Sequence, residues 1–387
     1  MFRSYFHKVL SRSPKSLVFY DIETSGLDPC FDQILQVAAM RTDWTLADSR
    51  SPSEHIHMRA RRHPWVVPTP EALLTTGVSP QELERGPSGH RVMFLLHEQL
   101  GAWAPALHLA YNGARFDELF LSQSFYRAAL PPYLTQMNGS TRADVMRIAQ
   151  ALNALDPANV RAGIHEGRLS FRLGAVCDAN DVGIDHENAH DALADVLATV
   201  ALTRRLAEAS PFFFAAALSR ADKEAVRKAL HAPVALRLRT VRGEPDVVAF
   251  CSVCSAPSNA NAKLCVDLEF DPDDVLREEE DALATRLQAK DKRFLTVRSN
   301  AHEMIFSADE PVIADRLMAI LVLNQSVEHP YLPLEALHRR ALRIRGDAAF
   351  ALRLSRAAER VRAAWPAPAS PDEALYSRGP LARSDNA

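Results

Sequence analysis

The 387-residue sequence predicts an α/β protein with more than one domain. Three observations carry this. Strand-like and helix-like segments alternate from residue 17 to about 208, the pattern of an α/β sheet domain. From about 234 to 306, short β-like runs are separated by polar, turn-rich text, as in a small, mostly β domain. From about 311 to 364 the chain reads as helices. One hydrophobic core rarely serves a chain of this length. The expected units are 15–208, 209–308 with a basic linker at its start, and a short helical region 309–365. Tails are expected at 1–14 and, as disordered text, 366–387.

In the first unit, "LVFYDIET" (17–24) and "ILQVAAMRTD" (34–43) read as neighbouring strands, and "LHLAYNG" (107–113) as a short strand ending in a turn. The segment 188–207 predicts a helix, with Leu193, Val196, Leu197 and Val200 at i, i+3, i+4 and i+7. Asn188 is the expected N-cap, and Arg204 and Arg205 suit the negative end of the helix dipole. In the second unit the strands are "VVAFCSV", "KLCVDLEF" and "RFLTVRS". Residues 267–281 hold nine acids and one Arg, expected to form a solvated loop and helix.

Composition excludes several classes. Hydrophobic residues make up 47% and charged residues 24%, as in ordinary globular proteins. No apolar run approaches the roughly 18–20 residues needed to span a bilayer. The opening "MFRSYFHKVLSRSPK" lacks an apolar stretch and a cleavage site, so a cytoplasmic protein without membrane attachment is expected. Five scattered cysteines form no disulfide framework. Cys251, Cys254 and Cys265 are expected as small buried residues, since zinc takes four ligands. A net charge of −3 leaves nucleic-acid binding to local clusters.

The chemistry lies in carboxylates. Asp21 and Glu23, two apart on a strand, project from the same face. Like charges so placed are costly unless a cation neutralises them. Asp117 follows an apolar residue in "YNGARFDELF", just after another strand turn, and "NAHDALAD" contributes His190 and Asp195. A five-residue step along a helix rotates about 140°, so His190 and Asp195 are expected to flank a bound group rather than to stack. Clustered carboxylates are the ligands that two Mg²⁺ ions need for phosphodiester cleavage. A histidine titrating near neutrality suits removal of the proton from an attacking water.

Asp21-x-Glu23, Asn112-x-x-x-Phe116-Asp117 and His190-x-x-x-x-Asp195 together resemble the three-motif signature of the DEDD exonucleases, histidine branch. "YDIETSGLDPCFDQILQVAAMRTD", "DVMRIAQAL", "LSFRLGAV" and "NAHDALADVLATVAL" extend the likeness to the bacterial exodeoxyribonuclease I family over 17–208. The resemblance implies a ribonuclease H-like exonuclease domain with a mixed central sheet, then a small SH3-like β domain and helices. It implies that Asp21, Glu23, Asp117 and Asp195 bind two Mg²⁺ ions, with Mn²⁺ able to substitute, and that His190 is the general base.

Further residues follow from the resemblance. Glu23 and the backbone of Thr24 would hold the 3′ end, and Arg172 would contact a phosphate. Tyr133, Arg147, Lys223, Asn261 and Asn300 fall at single-stranded DNA contacts, whereas Phe125 and Tyr126 are expected in the core. The implied partners are single-stranded DNA and single-stranded DNA-binding protein, and the implied state is a monomer. A phosphate track is expected among the seven basic residues Arg220, Lys223, Arg227, Lys228, Arg237, Arg239 and Arg242. The family continues into a larger helical region that closes a C-shaped path, so processivity is the property expected to differ. The alternatives are an RNA-degrading or proofreading member, against which the SH3-like unit argues, and a non-catalytic binding protein, against which the full set of five site residues argues.

Overall fold

A computed structural model describes residues 16–46, 54–185, 190–241, 244–257, 259–314, 316 and 332–364. The two expected tails and Asn188 lie outside the described residues. The first sheet contains β1 (Ser16–Thr24), β2 (Ile34–Thr42), β3 (His55–Arg59), β4 (Ala106–Ala110) and β5 (Thr141–Asp144), in the order β3-β2-β1-β4-β5. β1 runs antiparallel to β2 and parallel to β4, and β4 runs parallel to β5, so the sheet is mixed as expected. The three parallel strands end at the same edge, the usual place for ligands in open α/β sheets.

Helices cover both faces, which is why β1 reads as a continuous apolar run. Between β3 and β4 lie α1 (Pro70–Thr76), α2 (Pro80–Leu83) and α3 (Gly89–Ala102), and α4 (Asp117–Arg127) follows β4. Val18, Tyr20 and Ile22 pack with Val92 and Leu96 of α3 and with Phe120 and the expected core residue Phe125 of α4. Leu17 and Phe19 face the other way, toward α5 (Val145–Leu155), α6 (Leu173–Ala179), α7 (Ala192–Ala209) and α8 (Pro211–Ser219). Alternation along β1 therefore places Asp21 and Glu23 on the same face as Leu17 and Phe19, beyond the apolar core.

The predicted helix at 188–207 starts later. Asp191 caps α7, accepting from the amides of Leu193 (3.1 Å) and Ala194 (3.3 Å). The buried stripe runs through Ala192, Val196, Thr199, Val200, Thr203 and Leu206, and Leu197 is 43% exposed. Small residues and threonines complete the stripe, which a reading based on large apolar residues misses.

The second sheet holds β8 (Ala235–Val241), β9 (Glu244–Ser255), β10 (Ala262–Asp267), β11 (Phe294–Arg298) and β12 (Ile305–Ser307), in the order β11-β10-β9-β8-β12. All its pairings are antiparallel. A small hairpin, β6 (Gly163–His165) with β7 (Arg168–Ser170), stands apart. The two large sheets share one core. Ile148 of α5 and Phe214 of α8 belong to the same cluster as Leu236, Leu238 and Cys251. The sequence of α8, "PFFFAAALS", is apolar nearly all round, and such a helix is buried on several sides.

One expectation is refined here and another changes. The acidic block 267–281 forms the expected loop and helix, with most of its acids exposed, and one side of it packs on another element. α10 (Pro272–Leu276) and α11 (Glu280–Gln288) meet the helical hairpin of α12 (Leu334–Gly346) and α13 (Ala348–Ala363). Arg340 donates to the carbonyls of Leu268 (2.9 Å), Glu269 (2.7 Å) and Phe270 (3.1 Å). Arg343 pairs with Asp273, and Arg360 with Asp281. The basic run is not an open phosphate track. Arg220 is 5% exposed, pairs with Glu310 at 2.6 Å and lies over the Phe306 ring. Arg227 bonds Glu224 and Asn261, and Arg239 pairs with Asp246, while Arg242 lies outside the described residues. Lys223 and Lys228, on α9 (Lys223–His231), remain toward the surface. Cys251 and Cys265 are buried free thiols, and burial pushes Cys251 up to about 12. Among the described residues no metal-donor cluster contains a cysteine. None of the described helices is long and apolar enough to cross a membrane.

Candidate active site

The site lies where β1, β4 and β5 end. Strand register extends it sideways, since Asp21 pairs with Ala38 and then His57, and Glu23 with Gln36 and then Arg59. Asp117 begins α4 and is 3% exposed. The turn before it is tight, with Asn112 at φ 60°. A Cβ on Gly113 would lie 2.4 Å from the Ala110 Cβ and 3.4 Å from Asp117 Oδ2, so only glycine fits there. Asp144 anchors this turn by accepting from the amides of Asn112 (3.1 Å) and Ala114 (3.3 Å).

His190 lies just before α7, in the left-handed region at φ 67°. Helical rotation therefore does not apply to the His190–Asp195 pair. The chain turns back, and donor atoms of Glu23, His190 and Asp195 all lie within 4.8 Å of one another. The shared-helix premise does not hold, but donors that converge on one point are placed as a pair flanking a bound group would be. Asp21 and Asp117 stand outside that trio but repel its carboxylates.

Burial and mutual repulsion dominate the electrostatics. Burial raises the Glu23 carboxyl to about 8, with Asp195 and Asp117 adding to the effect. Burial likewise raises Asp117 to about 8. Asp21 is held well above the carboxylate range by burial and by Asp117, Glu23 and Asp195, and burial also raises Asp195. Unlike these four, Asp191 is lowered. Its burial would raise it, but the hydrogen bond from Gln36 Nε2 (2.7 Å), the α7 amides and nearby His57 prevail. Asp117 Oδ1 is buried without a hydrogen-bond donor. An orphan oxygen among four strained carboxylates and an imidazole fits a divalent cation, which prefers oxygen ligands.

The other expected residues are spread around this edge. Thr24 is buried beside a strand irregularity, and its hydroxyl donates to the Gly26 carbonyl at 2.6 Å. Arg172 is exposed at the start of α6 and bonds His165 Nε2 at 2.6 Å. Tyr133 is half-buried, and burial raises its hydroxyl. Arg147 points at the second sheet, donating to the carbonyls of Ala301 (2.6 Å) and His302 (3.3 Å). Asn261 accepts from Arg227, and Asn300 is exposed. Sequence reading missed Gln36, Asp191, Glu118 and Asp144. The N-cap preference for Asp was a usable signal for Asp191, but Gln36 has none outside the strand register.

Residues 18–203 match the RNase_T family, described as Exonuclease. The chain is 32% identical to exodeoxyribonuclease I of Haemophilus influenzae over 285 residues, which are 71% of this chain and 59% of that protein. It is 30% identical to exodeoxyribonuclease I of Escherichia coli, again over 285 residues. Over these residues the chain is similar to exodeoxyribonuclease I. It spans less than two thirds of the length of these relatives. A solved exonuclease I from Methylocaldum szegediense superposes with a TM-score of 0.79 at 26% identity, covering 96% of this chain and 77% of that one. Another solved exonuclease I gives 0.79 and 26%, with 96% and 78% covered. The ribonuclease H-like exonuclease domain and the family resemblance read from the sequence are both borne out.

Proposed function

We propose that this chain is a divalent-metal-dependent 3′→5′ exonuclease that degrades single-stranded DNA to 5′-mononucleotides. The observation that carries the reading is the convergence of Glu23, His190 and Asp195 within 4.8 Å, beside the half-buried Asp21 and the buried Asp117. Asp21, Glu23, Asp117 and Asp195 would hold two Mg²⁺ ions, or Mn²⁺ in their place. Bound ions would polarise the scissile phosphate and offset the charge that builds on the leaving oxygen.

The chain's own groups do the rest. His190, exposed beside Asp195, takes the proton from the attacking water. Its left-handed backbone aims the ring at the cluster instead of along the helix. Thr24 and Glu23 hold the 3′ end, and Arg172 meets a phosphate at the exposed start of α6. Lys223 and Asn300 offer surface contacts to the strand, and Tyr133 a partly open aromatic. The Escherichia coli ExoI has been solved as a single-stranded DNA complex with zinc bound, which supports the substrate class. A contact with single-stranded DNA-binding protein, a role in DNA repair and a monomeric state belong to the same proposal.

The test is a time course on 3′-labelled single-stranded DNA and on RNA of the same sequence, with Mg²⁺ and with EDTA. Metal-dependent loss of the DNA label supports the reading. Preferential loss of RNA would move the chain to an RNA-degrading member. A strand that is bound but left intact would make it a binding protein.

A further inference from the structure

We propose that the turn at residues 300–302 of the second sheet is a positioning element of the candidate active site, with His302 as its key residue. The proposal rests on the nuclease reading only for its kinetic readout. The turn follows β11, and His302 is 3% exposed with φ at 49°. Its Nδ1 accepts the backbone N–H of Asp144 at 2.9 Å. Burial pushes the ring down to about 3, so it is neutral and Nδ1 is free to accept.

Asp144 passes this contact on. It is 1% exposed, and its carboxylate accepts from Asn112 and Ala114, the turn that delivers Asp117. It also caps α5 through the Met146 amide at 3.0 Å. A second path starts at Asn300, whose carbonyl accepts from Arg142 Nη2 at 3.5 Å. Arg142 Nη1 donates to Glu118 Oε2 at 2.7 Å. Glu118, 3% exposed and next to Asp117, also accepts from Tyr20 (2.6 Å) and Thr135 (2.8 Å). Tyr20 in turn adjoins Asp21. Arg147 closes the arrangement by binding the carbonyls of Ala301 and His302.

Both paths therefore end beside a metal-site acid, not merely in packed surface. Removing a partner leaves a buried group unpaired, which costs more than the bond itself contributes. The acid it supports must stay within a few tenths of an ångström for a metal site to keep its affinity. Asn300 is exposed on the same turn, so the turn that can meet a nucleic acid is also the one tied to Asp117.

The experiment compares full-length wild type with His302→Ala and His302→Asn, since the Asn oxygen can take over the acceptor role of Nδ1. Mn²⁺ affinity is measured by calorimetry, together with kcat and KM on 3′-labelled single-stranded DNA and the melting temperature. Expected for His302→Ala is roughly tenfold weaker Mn²⁺ binding and a similar loss in kcat, with KM within about twofold. His302→Asn restores most of both. If Ala and Asn behave alike, or if the losses only track the unfolded fraction, the proposal is overturned. If the wild type cleaves nothing, the nuclease reading fails, and Mn²⁺ affinity across the three proteins still decides the positioning role.

Discussion

Replacing Asp117 by Asn removes one buried carboxyl while keeping its shape. Without metal, burial moves that carboxyl from 3.8 to about 8. Each pKa unit is about 1.4 kcal/mol, so the shift corresponds to a ceiling on the order of 5 kcal/mol. Asp21 shares the same space, and a measured difference of about 2–3 kcal/mol is expected. The folded value lies above the unfolded one, so the folded protein holds a proton that the unfolded chain releases. That contribution to stability is complete below the unfolded value of 3.8 and is lost as pH rises through about 8. Asn carries no such penalty. In EDTA at about pH 8.5, Asp117→Asn should unfold at higher denaturant than wild type, and the two should converge near pH 4. Adding Mn²⁺ should stabilise wild type more than the variant, because binding to the native state alone raises its stability. Denaturant melts followed by circular dichroism across this pH range read both effects. A variant that unfolds at or below the wild-type midpoint in EDTA at pH 8.5 would refute the strain assigned to the acid cluster.

Three further outcomes are expected. Asp21→Ala and His190→Ala abolish cleavage while circular dichroism shows the fold retained, and a wild-type rate in either would sink the proposed mechanism. Asp191→Ala loses the α7 cap and the Gln36 bond, costing about 1 kcal/mol, whereas Asp191→Asn keeps the cap. Chemical denaturation of the pair separates capping from charge. Arg340→Met frees three carbonyls that it now binds, costing on the order of 2 kcal/mol. Limited proteolysis should then cut within 334–363 faster than in wild type.

Much of the site was legible in the linear text because metal chemistry restricts the usable side chains. Asp21 and Glu23 were readable as a same-face pair from strand alternation alone, and Asp117, His190 and Asp195 from their motifs. The α/β class of the first domain and the mostly β character of the second followed from periodicity and turn composition. Spacing arithmetic failed at His190, because the helix begins only at Ala192 and the residue before its cap is free to turn back. Gln36 and Arg59 were invisible, since only strand register carries the Glu23 row across three strands.

Charge partners were the least legible. The sequence by itself determined which groups could bind a cation, the α/β and mostly β character of the two units and the helical end, because these depend on residue type and local period. Only the tertiary structure decided that Arg220 is buried on Glu310, that the acidic block meets the arginines of α12 and α13, and that His302 backs Asp144. Those contacts join residues 70 to 158 positions apart, and whether a charge is solvated, paired or buried depends on what folds against it.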